Sequence, residues 1–216
     1  MKKYITLISS TLLVVLSASC YQTSKPINYR GYIVDNSIKS KVNQKVKSSS
    51  AGILSSMDMK MFENDSIVLD TYSAGKSIDE CMTFALLEGD TINITGFAGM
   101  FAGVGYQIAL FKDTCVVRHF AKSDMEVYKL HENDSLDLGV AVLCKTYTLN
   151  LASKPTFKKG DVVEGIIELT SDEYYEVANG NQKKCKMQLT GYFKTMPLES
   201  MEDEYNKIKN KLKDKW

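Results

Sequence analysis

From about residue 53 to residue 195, apolar and polar positions alternate with a period of two, the signature of strands that turn one face to a core. Met57, Met59 and Met61 alternate with Asp58 and Lys60. Leu136, Leu138, Val140, Val142 and Cys144 fall on one face of a run, and Val163, Gly165, Ile167 and Leu169 on one face of another. Cys185, Met187, Leu189, Gly191 and Phe193 alternate with Lys184, Lys186, Gln188, Thr190 and Tyr192. Turn sequences rich in Asn, Asp, Gly and Ser separate the runs, at 63–66, 88–90, 112–114, 132–135, 158–161 and 178–181. Short strands spaced in this way predict a mainly β domain over 51–196, an antiparallel β-sandwich or barrel of about ten strands.

The period changes at both ends. Leu198, Met201, Tyr205, Ile208 and Leu212 recur at threes and fours, which predicts a C-terminal amphipathic α-helix over 197–216. Acids lead this stretch and lysines follow, the order that suits a helix dipole. Its apolar stripe is expected to dock on the β domain or to pair with another chain. Residues 20–50 are poor in large apolar groups and rich in Lys, Ser, Asn and Gln, and read as a flexible tether. Only 29–34 within it has the character of a strand.

The first 19 residues have the layout of a secretory signal peptide. Lys2 and Lys3 give a positive start, residues 4–19 carry no charge, and Ser17, Ala18 and Ser19 form a small-residue exit. The uncharged stretch is shorter than the roughly 20 residues of a membrane-spanning helix. Cys20, directly after it, resembles the lipobox cysteine of bacterial lipoproteins. Ser17 and Ser19 stand where that family usually has Leu and then Ala or Gly, and the resemblance covers residues 1–20 only. It implies cleavage before Cys20 and attachment of lipid (palmitate among the acyl chains) to the new N-terminus. Several acyl chains on one cysteine hold firmly where one would not. The protein is then confined to a membrane of the bacterial cell envelope. Tyr21–Lys25 lack an acidic run, which points to a periplasm-facing domain. The same cut without lipidation would release a soluble protein, and an uncleaved anchor is the third arrangement.

Charge excludes one class of partner. Without Lys2 and Lys3 the chain has 25 basic residues against 26 acidic ones, dispersed along its length. That lacks the basic footprint needed for nucleic acid. Cys81, Cys115, Cys144 and Cys185 show no CxxC or zinc-ribbon spacing, so they are buried thiols or form one or two disulfides in an oxidising compartment. No metal or other cofactor is implied.

Candidate chemistry is sparse. The two histidines, His119 and His131, belong to no catalytic motif. Glu164 and Glu168 share a strand face expected to be solvated, and about 13 Å of strand separates them, too far for paired acid/base work. Tyr174 and Tyr175 are adjacent and cannot line one platform. The uncharged segment 96–111 reads as a hairpin with its tip over 98–103, where Met100 and Phe101 are candidate partner contacts. Asp65-Ser66-Ile67, Asp90-Thr91-Ile92 and Asp134-Ser135-Leu136 resemble an O-glycosylation signal of some exported bacterial proteins, which would make Ser66, Thr91 and Ser135 the carriers. The same residues also serve as turn formers. The sequence therefore points to an exported, lipid-anchored envelope protein that binds or assembles rather than catalyses. Its partners would be the membrane, through lipid, and another envelope protein. A carbohydrate- or small-molecule-binding β module is the alternative, with an envelope hydrolase behind it.

Overall fold

The alternating runs build strands whose apolar faces meet a shared core. The computed structural model describes residues 27–29, 31–46, 54–99 and 103–198; Cys20, Met100, Phe101 and the stretch 199–216 lie outside the described residues. The strands are β1 (Ile27–Tyr29), β2 (Tyr32–Val34), β3 (Leu54–Glu63), β4 (Ser66–Asp70), β5 (Ile78–Glu88), β6 (Thr91–Ala98), β7 (Gly103–Leu110), β8 (Cys115–Lys122), β9 (Val127–Lys129), β10 (Gly139–Leu151), β11 (Val163–Ser171), β12 (Tyr174–Ala178), β13 (Asn181–Thr195) and β14 (Pro197–Leu198). Two short helices, α1 (Lys39–Lys45) and α2 (Thr71–Ala74), lie among them.

All fourteen strands join one mixed sheet. Its hairpin-built centre runs β8–β7–β6–β5, and β3 and β13 extend it beyond β5. Neighbours are antiparallel except where β2 meets β10 and β14 meets β5, because those two strands are added by the chain ends and not by hairpins. Near its C-terminal end the chain supplies β11, which pairs with β10 on one side and β13 on the other, so the sheet curls back on itself. The architecture thus corrects the expectation. The fold is mainly β as expected, but it is a branched mixed sheet and not a plain closed barrel or a pair of stacked antiparallel sheets, with fourteen strands among the described residues.

The inner face carries the predicted alternation. Met57, Met59, Val163, Ile167, Leu169, Cys185, Met187, Leu189 and Phe193 are buried, together with Ile92, Ile94, Ile108 and Leu110 of the central hairpins. Tyr106 lies at the middle of this core with no exposed surface. Its ring centroid is 6.1 Å from that of Phe193, and its hydroxyl is 3.4 Å from Thr83 Oγ1. Gly96 and Gly191 face the ring edge, and a methyl group on Gly191 would sit 2.5 Å from Tyr106 Cε1. One inner run departs from the pattern. β10 starts only at Gly139, so Leu136 and Leu138 remain exposed while Val142 is buried.

The strand expected within 29–34 is present as β2, and the tether expectation is corrected over 35–46. A helical turn at Asn36–Ile38, capped by the Asp35 carboxylate accepting from the Ser37 amide at 2.9 Å, leads into α1. Val42 of α1 is fully buried against Ile166 and Tyr192. Lys41 and Lys45 lie over the Tyr192 ring at 5.5 and 5.4 Å, and Lys45 donates to Ser77 Oγ at 2.8 Å. A composition too polar to fold alone is ordered here because one apolar residue per turn finds a finished sheet. The C-terminal expectation is corrected at its start: Pro197 and Leu198 pair with Ala85 and Leu86 as strand β14. The four described cysteines are free thiols.

The crowding around Tyr106 predicts that Gly191→Ala lowers unfolding free energy by about 1–3 kcal/mol, as overpacked cores do. In a Tyr106→Leu background the same change should cost less. Urea titration of the four chains measures the coupling.

Candidate functional site

Outward positions on a solvated sheet are usually polar, but several of those on β5–β8 are large and apolar. Register sets Met82, Phe97, Gly105, Phe120 and Ala141 in one row across five strands. Phe84, Thr95, Gln107, Arg118 and Leu143 form the next row. Gly105 carries no side chain, so the rings of Phe97 and Phe120, two strands apart and about 10 Å from each other, have a gap between them. The result is an open groove of about 460 Å³ walled by Phe84, Phe97 and Phe120, with Thr95 and Gln107 at one end and Lys122 and Asp124 on the rim. Phe84 meets Phe97 edge to face, with centroids 6.2 Å apart. Met82 and Phe84 are each 39% exposed, a large apolar exposure for two positions on one strand.

The floor of the groove is held from beneath. A methyl group on Gly105 would strike the Gly96 carbonyl, so only glycine fits there. His119, wholly buried under this row, places Nδ1 at 2.9 Å from the Gly105 carbonyl oxygen. A carbonyl only accepts, so Nδ1 carries the proton and donates. Nε2 is then free to accept from the Tyr174 hydroxyl at 3.4 Å. Burial lowers the His119 pKa to about 4, and the ring is neutral at ordinary pH. Sealed from solvent, His119 orients the groove floor and cannot meet a substrate. Burial likewise pushes the Cys144 and Cys185 thiols up to about 12 and raises Cys115, which removes them as nucleophiles near neutrality.

A second, shallower depression of about 310 Å³ lies on the outer face of β10, β11 and β13. Its lining is polar, with Thr148, Glu168, Gln188 and Thr190, and Tyr72 forms a wall. Tyr72 is fixed by α2, whose cap is Asp70. The Ser73 amide and the Lys60 ammonium hold the Asp70 carboxyl down at about 2. The Tyr72 hydroxyl lies 2.9 Å from Thr190 Oγ1.

The positions singled out in the sequence are scattered. Met100 and Phe101 are outside the described residues, but Gly99 and Gly103 on either side of them line one end of the aromatic groove. Ser66 and Ser135 are exposed and Thr91 is half-buried at the start of β6. His131 is exposed in a turn, where its amide donates to Asp134 Oδ2 at 2.9 Å. Glu168 is exposed as expected. Glu164 is not: it is buried beneath Lys194, 2.5 Å from its ammonium, at the edge of α1. Tyr174 points into the core and Tyr175 outward, with Lys129 over its ring at 5.8 Å. No three His, Cys, Asp or Glu side chains gather as a metal set among the described residues. Sequence reading missed the aromatic groove. Its signal was present as Met82 and Phe84 occupying the face opposite Cys81, Thr83 and Ala85, but only register joins them to Phe97 and Phe120.

Comparison with protein-family models, with curated proteins and with solved structures found no match to this chain.

The buried neutral His119 makes stability depend on pH. Unfolded, the ring protonates near 6.5; folded, near 4. The unfolded state binds more protons between those values, so stability rises with pH there. The contribution is complete above 6.5 and up to about 3 kcal/mol is lost as pH falls to 4. Denaturant titrations across this window should show the slope, and His119→Gln, which keeps a donor for Gly105, should flatten it.

Proposed function

We propose that this chain is an exported, lipid-anchored protein of the bacterial envelope. Its role is to bind or assemble with another envelope protein, and the aromatic groove on β5–β8 is the contact surface. The observation that carries the contact assignment is the run of outward Met82, Phe84, Phe97 and Phe120 around the gap at Gly105. A pocket with aromatic walls and a few polar groups at its ends suits an apolar or aromatic side chain presented by a partner.

The anchor assignment is carried by the signal layout and by Cys20. Chain direction agrees with it. β1 and β2 pair at the end of the sheet marked by Leu151, and the Tyr32 hydroxyl donates to the Lys112 carbonyl in the β7–β8 turn at 2.7 Å. The groove lies toward the opposite ends of β6, β7 and β8, near Gly99, Gly103 and Lys122. From Cys20 to Ile27 the chain spans at most about 25 Å. A lipid on Cys20 would therefore keep the β1 end within about 25 Å of the bilayer, with the groove toward the other ends of the strands. No helix among the described residues is long and apolar enough to cross a membrane.

The polar depression beside Tyr72 favours a second reading, a carbohydrate-binding module, since an aromatic wall with hydroxyl, amide and carboxylate neighbours matches the stacking and hydrogen bonding of a sugar. In that case a saccharide would raise the melting temperature, and Tyr72→Ala would abolish the rise.

Cell fractionation tests the anchor. The native protein should sediment with membranes and its Cys20 peptide should carry the mass of acyl chains, which Cys20→Ser should lose. Recovery of the membrane-bound native protein with an unmodified Cys20 peptide would contradict lipid anchoring.

A further inference from the structure

The sheet protects its edges unequally. β9 lies at one end of the strand order, and its outer edge is covered, because Tyr128 and Asp137 exchange backbone hydrogen bonds at 2.7 and 2.9 Å. β4 has no such cover. Among the described residues it pairs with β3 alone, against Lys60–Glu63. Ile67, Val68 and Leu69 are 55%, 51% and 39% exposed. Successive residues of a strand point to opposite faces, so this run leaves both faces of β4 open as well as one edge. An exposed edge strand is a template for another strand, and proteins usually blunt it with Lys or Pro. Ser66-Ile67-Val68-Leu69-Asp70 contains neither. Its one irregularity is a bulge, in which Val68 has no counterpart on β3.

We propose that β4 is a self-association edge, which pairs antiparallel with β4 of a second copy of this chain about a two-fold axis at Val68.

The charge pattern selects this occupant. In that register Val68 faces itself, Ile67 faces Leu69 of the second copy, and Ser66 faces Asp70 of the second copy. Apolar residues therefore meet apolar ones at the centre. Asp70 is the only charged residue of the strand, and Lys60 already pairs with it at 2.9 Å. Across the axis it meets a hydroxyl, and Asp65 of the turn falls opposite Thr71. Like charges meet nowhere along the pair. A two-fold contact of this kind uses the same edge on both copies, so it closes at a dimer and builds no fibre. A strand of five residues makes a small contact, so the dimer is weak and reversible. None of the residues that line the aromatic groove belongs to β4, so the two surfaces can act independently.

Disulfide trapping of the full chain, purified in mild detergent, reads the register. Directly opposed residues of antiparallel strands have Cα atoms about 4.5–5.5 Å apart, within reach of a disulfide. Val68→Cys should give crosslinked dimer severalfold above the native chain, whose own four described cysteines are the background. Ile67→Cys and Leu69→Cys should each stay at that background alone and rise severalfold above it when mixed. In sedimentation velocity the native chain should shift toward dimer as concentration rises. Val68→Lys should remain a monomer with an unchanged circular dichroism spectrum. Trapping by Val68→Cys at the background level, or equal trapping at all three single positions, would overturn the proposal. So would dimerisation of Val68→Lys equal to that of the native chain, which would place the self-contact elsewhere. Oxidation in intact cells that joins Val68→Cys to a different protein, with no homodimer, would overturn it in favour of a foreign strand.

Discussion

The structure depends on how tightly a β-sheet can curl around one tyrosine. Tyr106 fills the centre of the core, and the strands around it approach because Gly96 and Gly191 present no side chain to its ring. Burial of the ring also raises its hydroxyl pKa, so the group stays neutral and lies within hydrogen-bond distance of Thr83. With the ring in place, β13 stands near enough for β11 to bridge it to β10. That bridge gives one continuous inner face in place of two stacked sheets. It also leaves a continuous outer face, on which the two depressions and α1 all lie.

The groove follows from the same economy of size. Along the outer row, Gly105 is forced by the approach of the Gly96 carbonyl, and the space it leaves separates Phe97 from Phe120. His119 connects the two layers, since its ring is packed inside while its Nδ1 proton holds the backbone carbonyl of a residue on the outer row. A buried histidine that looks idle in chemical terms thereby fixes the shape of a surface. Rigid floors favour recognition because little conformational freedom is lost on binding.

Inner-face periodicity was legible in the sequence because apolar residues or glycine alternate through Met57–Met61 of β3, Val163–Leu169 of β11 and Cys185–Phe193 of β13. The hairpin of β6 and β7 was legible too, from its turn glycines. What escaped was all tertiary in origin. α1 exists because Val42 finds Ile166 and Tyr192, contacts that no local window contains. Pro197 and Leu198 became strand because the edge of β5 beyond β3 was open to them, although the residues after them carry a helical period. Glu164 reads as a solvated carboxylate until Lys194 closes over it. The groove was invisible for the same reason, since its rings come from β5, β6 and β8 and only register assembles them. Cys20 and the signal layout lie at the other extreme, a local pattern whose meaning is chemical and owes nothing to the fold.

The central claim is that a curled sheet presents its aromatic groove to a protein partner. Its most direct test is to place a photo-crosslinking amino acid at position 84, on the groove, and separately at position 168, on the polar face, and irradiate intact cells. The account predicts a discrete crosslinked envelope protein from position 84 and none from position 168. The same adducts from both positions, or none from position 84, would contradict it.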